Sequence, residues 1–133
     1  MDREQTYAFV DALKRMREIL NDQQASTVVA VYQTLKEKGA LVLNGTRINW
    51  NGTLKRAAVD LWDTVENNPD NAPALWEDIM YREGYRIIPE VITVGTAFAL
   101  GEYGWWGDKL YKSLIDANVY TPATYPAGWE EIK

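Results

Sequence analysis

The sequence predicts an α+β protein: two N-terminal helices followed by two small tandem modules, each an antiparallel β-meander. Three observations predict it. Apolar residues recur at helical spacing as far as Lys38, and after Gly39 the period shortens and Asn-Gly pairs appear at 44–45 and 51–52. The stretch Gly45 to Ile79 also recurs as Gly101 to Ile132. Gly45 aligns with Gly101, Trp50 with Trp106, Leu54 with Leu110 and Asp60 with Asp116, without a gap. A three-residue difference then brings Pro73-Ala74-Leu75-Trp76-Glu77-Asp78-Ile79 onto Pro126-Ala127-Gly128-Trp129-Glu130-Glu131-Ile132. The predicted organisation is a helical hairpin over 1–39, a first module over 40–80, and a connector with the second module over 81–133.

The first helix is expected over 3–20, because Phe9, Leu13, Met16 and Leu20 share one face. Asp2 is its N-cap, and Lys14, Arg15 and Arg17 complement the dipole of its last turns. The second helix is expected from Gln23 to Lys38, with Ala25, Val28, Val29, Tyr32 and Leu35 on one side and Gly39 at its end. An amphipathic pair this short needs the rest of the chain, or another copy, to cover its stripes.

Beyond Gly39, Ala40–Leu43 reads as a short strand closed by an Asn44-Gly45 hairpin turn. Arg47–Trp50 and Thr53–Val59 are the next strands, joined through Asn51-Gly52. Residues 66–71 form a loop, and Ala74–Ile79 closes the module. Strands are expected again over Tyr85–Ile88 and Ile92–Leu100. Trp105-Trp106, the Gly107-Asp108 turn and Lys109–Ile115 repeat the hairpin. Residues 121–126 are loop, and Trp129–Ile132 ends the pattern.

Composition narrows the function. A net charge of −5 with no long basic run argues against nucleic acid, whose binding depends on neutralising phosphates. There is no cysteine and no histidine, so thiolate chemistry, disulfides, the usual neutral-pH base and the commonest metal ligand are all missing. The first twenty residues are charged throughout and lack the apolar core of a signal peptide, and no apolar run approaches a membrane span. The expectation is synthesis in a cytoplasm, with no membrane partner. No P-loop, nucleophile elbow, EF-hand or zinc spacing occurs, so no cofactor, metal or catalytic residue is expected. Glu66, Asp70, Glu77 and Asp78 have no spacing that specifies the paired carboxylates of a glycosidase.

The repeated frame resembles the small chitin- and cellulose-binding modules grouped as carbohydrate-binding families 5 and 12. The second copy carries it at Gly101-Glu102, Trp106, Asp108, Leu110-Tyr111, Ser113, Pro122, Pro126 and Trp129–Ile132. The first carries it at Gly45, Ile48, Trp50, Gly52, Leu54, Ala57, Pro69, Pro73 and Trp76–Ile79. Residues 19–25 and 72–79 further resemble short proteins of tailed bacteriophages, which join an N-terminal helix to such a module. The resemblance implies a non-enzymatic, phage-encoded structural or accessory protein, located in a virion, that binds a glycan or another virion or host surface protein. The alternatives are a carbohydrate-binding module proper and a protein–protein unit that forms a homo-oligomer through its helices. The aromatic pair that stacks on sugar in chitin-binding members corresponds here to Leu114-Ile115 and Ala58-Val59, and Lys55 stands where the frame has Tyr.

Six Trp and eight Tyr against two Phe make aromatic residues the candidates for contact. Trp50, Trp76, Trp106 and Trp129 recur in both copies, which assigns them to the core of the repeat. Trp62, Trp105, Tyr120 and Tyr125 fall outside the shared frame and form the candidate ligand-binding platform. Trp62 and Tyr120 are expected in the loop of each copy. Trp105 and Trp106 are strand neighbours, so one faces in and the other out.

Overall fold

Asp2 starts the first helix, α1 (Arg3–Ile19), through a capping box: its carboxylate accepts from the Gln5 amide at 2.8 Å, and the Gln5 side chain accepts from the Asp2 amide at 2.9 Å. In this computed structural model, which describes residues 2–133, the chain divides between Ile79 and Met80 into two compact units. Helices and mixed sheets make it an α+β protein.

The second helix is far shorter than expected. Only α2 (Asp22–Ser26) forms, capped by Asn21, and a 3-10 turn follows at Val29–Val31. The run Thr27-Val28-Val29 is β-branched and crowds a helical backbone. Tertiary contacts also take the segment elsewhere. The Gln33 carbonyl accepts from the Asn49 amide at 3.0 Å, and the Tyr32 ring lies 5.2 Å from the Arg47 guanidinium. Residues predicted as helix therefore run along the neighbouring sheet.

In the first unit β1 (Leu41–Val42) pairs with β4 (Leu61–Trp62), while β2 (Arg47–Trp50), β3 (Thr53–Ala57) and β5 (Trp76–Asp78) form an antiparallel sheet in the order β2-β3-β5. Asn44-Gly45 makes a turn, with the Thr46 amide donating to Leu43 O at 3.1 Å, but not the expected hairpin. The strand before the turn is drawn away to β4 and does not pair with β2. Trp62 is accordingly a strand residue and not a loop residue. Asn51-Gly52, with φ of 53° and 87°, does join β2 to β3 with the twist that a two-residue hairpin requires.

The second unit holds one five-stranded sheet, in the order β10-β9-β8-β7-β6. Its strands are β6 (Tyr81–Arg82), β7 (Tyr85–Ile87), β8 (Tyr103–Trp106), β9 (Lys109–Ser113) and β10 (Trp129–Ile132). β7 and β8 are parallel, which an antiparallel meander does not contain. A parallel pair needs a long crossover, and residues 88–102 supply it. The strand expected over 92–100 is therefore a connection, with a 3-10 turn at Val94–Thr96 and a single bridge from Phe98 to Asn118.

The aligned residues of the two units make the same hydrogen bonds. The amides of Gly45 and Gly101 donate to Ala57 O and Ser113 O, each at 2.8 Å. Ala58 donates to Leu75 O and Leu114 to Gly128 O, joining β3 to β5 and β9 to β10 beyond the ladders. The indole N–H of Trp76 donates to Asn67 O at 2.7 Å, and that of Trp129 to Tyr120 O at 2.8 Å.

Each unit buries its own core. Ile48, Ala57, Leu61 and Trp76 centre the first, with Trp50 against them. Ile88, Ile92, Phe98 and Trp129 centre the second, with Trp106 against them. Aligned positions are filled differently. Val42 and Ile48 in the first unit correspond to Phe98 and Gly104 in the second, so a larger ring occupies space that the glycine leaves. A Cβ on Gly104 would lie 2.6 Å from Ile88 Cγ1 and 2.8 Å from Phe98 Cε2.

Candidate functional site

The register of each sheet separates a core face from an opposite face, because cross-strand partners point the same way. In the first unit the opposite face presents Arg47, Asn49, Leu54 and Arg56. It is covered by the chain's own residues 17–33. Arg47 donates to Arg17 O and Leu20 O, both at 2.6 Å, and to the Asp22 carboxylate at 3.1 Å. Arg56 donates to both Asp22 oxygens at 2.9 Å and to Glu77 at 3.1 Å. Leu54 beneath this clamp is 2% exposed. Burial works to lower the Arg56 pKa, but its hydrogen bonds to Asp22 and Glu77 outweigh that and raise it. Burial raises the Tyr32 pKa against the opposing pull of Arg47, and its hydroxyl donates to Arg17 O at 3.1 Å.

In the second unit the corresponding positions are Tyr103, Trp105, Leu110 and Lys112. β7 extends this face with Tyr85 and Ile87. Where Leu54 is sealed, Leu110 is only half-buried, and Tyr85 is 40% exposed. The Tyr85 and Tyr103 rings meet at 5.4 Å and 51°. The Trp105 indole N–H donates to Arg82 O at 2.8 Å, and the Arg82 guanidinium lies 5.1 Å from its ring. Arg82 is itself tied to Gly107 O at 3.0 Å, so the cation and the indole are held as one unit. The result is an aromatic sheet face with cationic groups beside it.

The four candidate platform residues are divided between the two units. Trp62, 58% exposed, belongs to the first unit, and the other three belong to the second. Tyr120 and Tyr125 are half exposed and meet edge to face, at 5.5 Å and 67°, so their rings are not coplanar. Trp105 lies on β8 facing away from the core, while its neighbour Trp106 packs towards Phe98 and Trp129. Tyr103 and Tyr85 are the residues that sequence reasoning missed. The signal was there: Tyr103 and Trp105 share strand parity, but placing Tyr85 beside them requires the parallel β7–β8 pairing.

The four repeated Trp residues pack into or against the two cores. The Trp50 indole nitrogen is buried without a hydrogen-bond partner among the described residues, whereas those of Trp76 and Trp129 are satisfied. The acidic residues are spread out. Asp78 pairs with Lys55 and Glu77 with Arg56, and Glu66 and Asp70 are exposed. Among the described residues no group of three or more side chains is placed to hold a metal ion. No helix among them is long and apolar enough to cross a membrane. A scan against protein-family models matches no family, and a search of curated proteins finds no similar one.

Proposed function

We propose that the chain is a non-enzymatic, phage-encoded structural or accessory protein of a virion, whose chitin-binding-like modules occur in tandem and whose second module engages a glycan surface. One observation carries the binding reading. The sheet face that the first unit covers with its own chain is aromatic and partly exposed in the second, at Tyr85, Tyr103 and Trp105. Flat rings with polar groups beside them suit sugars, whose C–H faces stack while their hydroxyls hydrogen-bond. Arg82 and Lys112 supply the polar groups. The phage attribution rests on the resemblance of residues 19–25 and 72–79.

A second reading, assembly between copies, is supported by α1. None of its residues is buried, and Phe9, Val10 and Ile19 are 53%, 49% and 79% exposed. A helix of this length is marginal in water without packing.

Light scattering coupled to size exclusion, run with and without chitotriose and peptidoglycan fragments, tests both readings. Glycan binding is expected to shift Trp fluorescence saturably, with at least a tenfold loss of affinity in Trp105→Ala. A defined oligomer that responds to no glycan overturns the glycan reading in favour of assembly. A monomer that binds glycan overturns assembly through α1.

A further inference from the structure

We propose that a groove of the first unit, between α1 and the Leu43–Thr46 turn, binds a pyranose carrying one anionic group. The groove has a volume of about 420 Å³, within the range that small ligands occupy. Its base is fixed by Arg47 and Tyr32. Three of the five N–H donors of Arg47 go to Arg17 O, Leu20 O and Asp22, and the Tyr32 hydroxyl donates to Arg17 O, so both groups build the groove.

The walls are the opposite case. Lys14, Arg17 and Glu18 line the groove from one side of α1, where i, i+3 and i+4 residues are neighbours. Asn44 and Thr46 line it from the turn. The side chains of Lys14, Glu18, Asn44 and Thr46 have no hydrogen-bond or ion-pair partner among the described residues. Arg17 gives only its Nε, to Leu13 O at 3.3 Å, and makes no ion pair among them.

This donor set selects its ligand. Two cations facing one carboxylate, in a chain of net charge −5, favour a single anionic group on the ligand. Glu18 accepts hydrogen bonds only, so the ligand must also bring donors, as sugar hydroxyls do. Asn44 and Thr46 both donate and accept, and match a ring with several hydroxyls. Leu43, 57% exposed, and Tyr32 add apolar surface to the lining. A carboxylate and a phosphate would satisfy Lys14 and Arg17 alike, so the shared chemistry is an acidic hexose. This site is separate from the aromatic face of the second unit and does not rest on it.

The test is titration of the ¹⁵N-labelled full chain with glucuronate, glucose 6-phosphate, glucose and inorganic phosphate. At least one acidic sugar is expected to give saturable shifts in the Asn44, Gly45 and Thr46 amides, and its comparison with the other distinguishes carboxylate from phosphate. Glucose and inorganic phosphate are expected to bind at least tenfold more weakly. Lys14→Gln and Arg17→Gln should each weaken the acidic sugar about tenfold with unchanged spectra elsewhere, and Trp105→Ala should leave its affinity unaltered. Equal affinity for glucose and glucuronate, phosphate binding as tight as either acidic sugar, or shifts that do not saturate would overturn the proposal. Retained affinity in both Gln variants would overturn it as well.

Discussion

Tyr32 joins the N-terminal segment to the first sheet through two different interactions, a hydroxyl that donates to Arg17 O and a ring beside the Arg47 guanidinium. The side chain is 4% exposed, so its neutral form is favoured and its pKa is raised by burial. The sign of the resulting pH dependence follows. Folded Tyr32 holds its proton above pH 10, where the same residue in the unfolded chain, at about pKa 10, begins to lose it. The stabilisation is complete below that pH and is lost as pH rises towards the folded-state pKa. Thermal melts from pH 8 to 11.5 should show a steeper loss of Tm above pH 10 in the natural sequence than in Tyr32→Phe. At pH 8 the variant should be less stable by about 1 kcal/mol, the usual worth of one hydrogen bond. Parallel pH profiles would show that Tyr32 is not the group that titrates.

At the scale of elements, one hydrogen-bonded frame is filled by two different sets of side chains. Val42 with Ile48 and Phe98 with Gly104 divide similar core space differently. Phe98→Val alone should open a cavity and cost about 2–4 kcal/mol, and Gly104→Ile alone should overpack and cost about 1–3 kcal/mol. Together they should recover about 1–3 kcal/mol relative to the sum, since the residues are in contact. Urea melts of the four proteins measure that coupling, and strict additivity would mean that the two positions do not share one space. The frame itself was legible in the sequence because turns and tryptophans carry it. Asn51-Gly52, the Pro-Ala-x-Trp closure and the Trp hydrogen bonds to Asn67 O and Tyr120 O sit at aligned positions. What escaped depended on distant partners. The second helix gave way to contacts of Tyr32 and Gln33 with β2, and β1 left its own turn to pair with β4. The parallel β7–β8 pair, which gathers Tyr85 and Trp105 on one face, leaves no periodic trace in the chain.

For the whole molecule, each described strand ladder and each of the two core clusters falls within a single unit. Strand ladders run β1-β4 and β2-β3-β5 before Ile79, and β6 to β10 after Met80. The core clusters divide at the same place. The second unit lacks the covering segment that the first takes from residues 17–33, yet it buries Phe98 and Asn118 completely. Asn118 is sealed with its polar atoms satisfied: its amide nitrogen donates to Ser113 Oγ and Gly128 O, each at 3.1 Å, and its oxygen accepts from the Tyr120 amide at 3.1 Å. Such a fully bonded polar group specifies one packing. Residues 80–133 expressed alone should therefore fold, although a domain near this size is marginally stable. The expected outcome is a dispersed ¹H–¹⁵N spectrum with the Trp105 and Trp129 indole signals where the full chain has them. It comes with a cooperative urea transition whose slope is smaller than that of the full chain, because less surface is exposed on unfolding. A collapsed spectrum without a transition would show that the second unit draws its stability from the first. The same fragment would then be unable to carry glycan binding by itself.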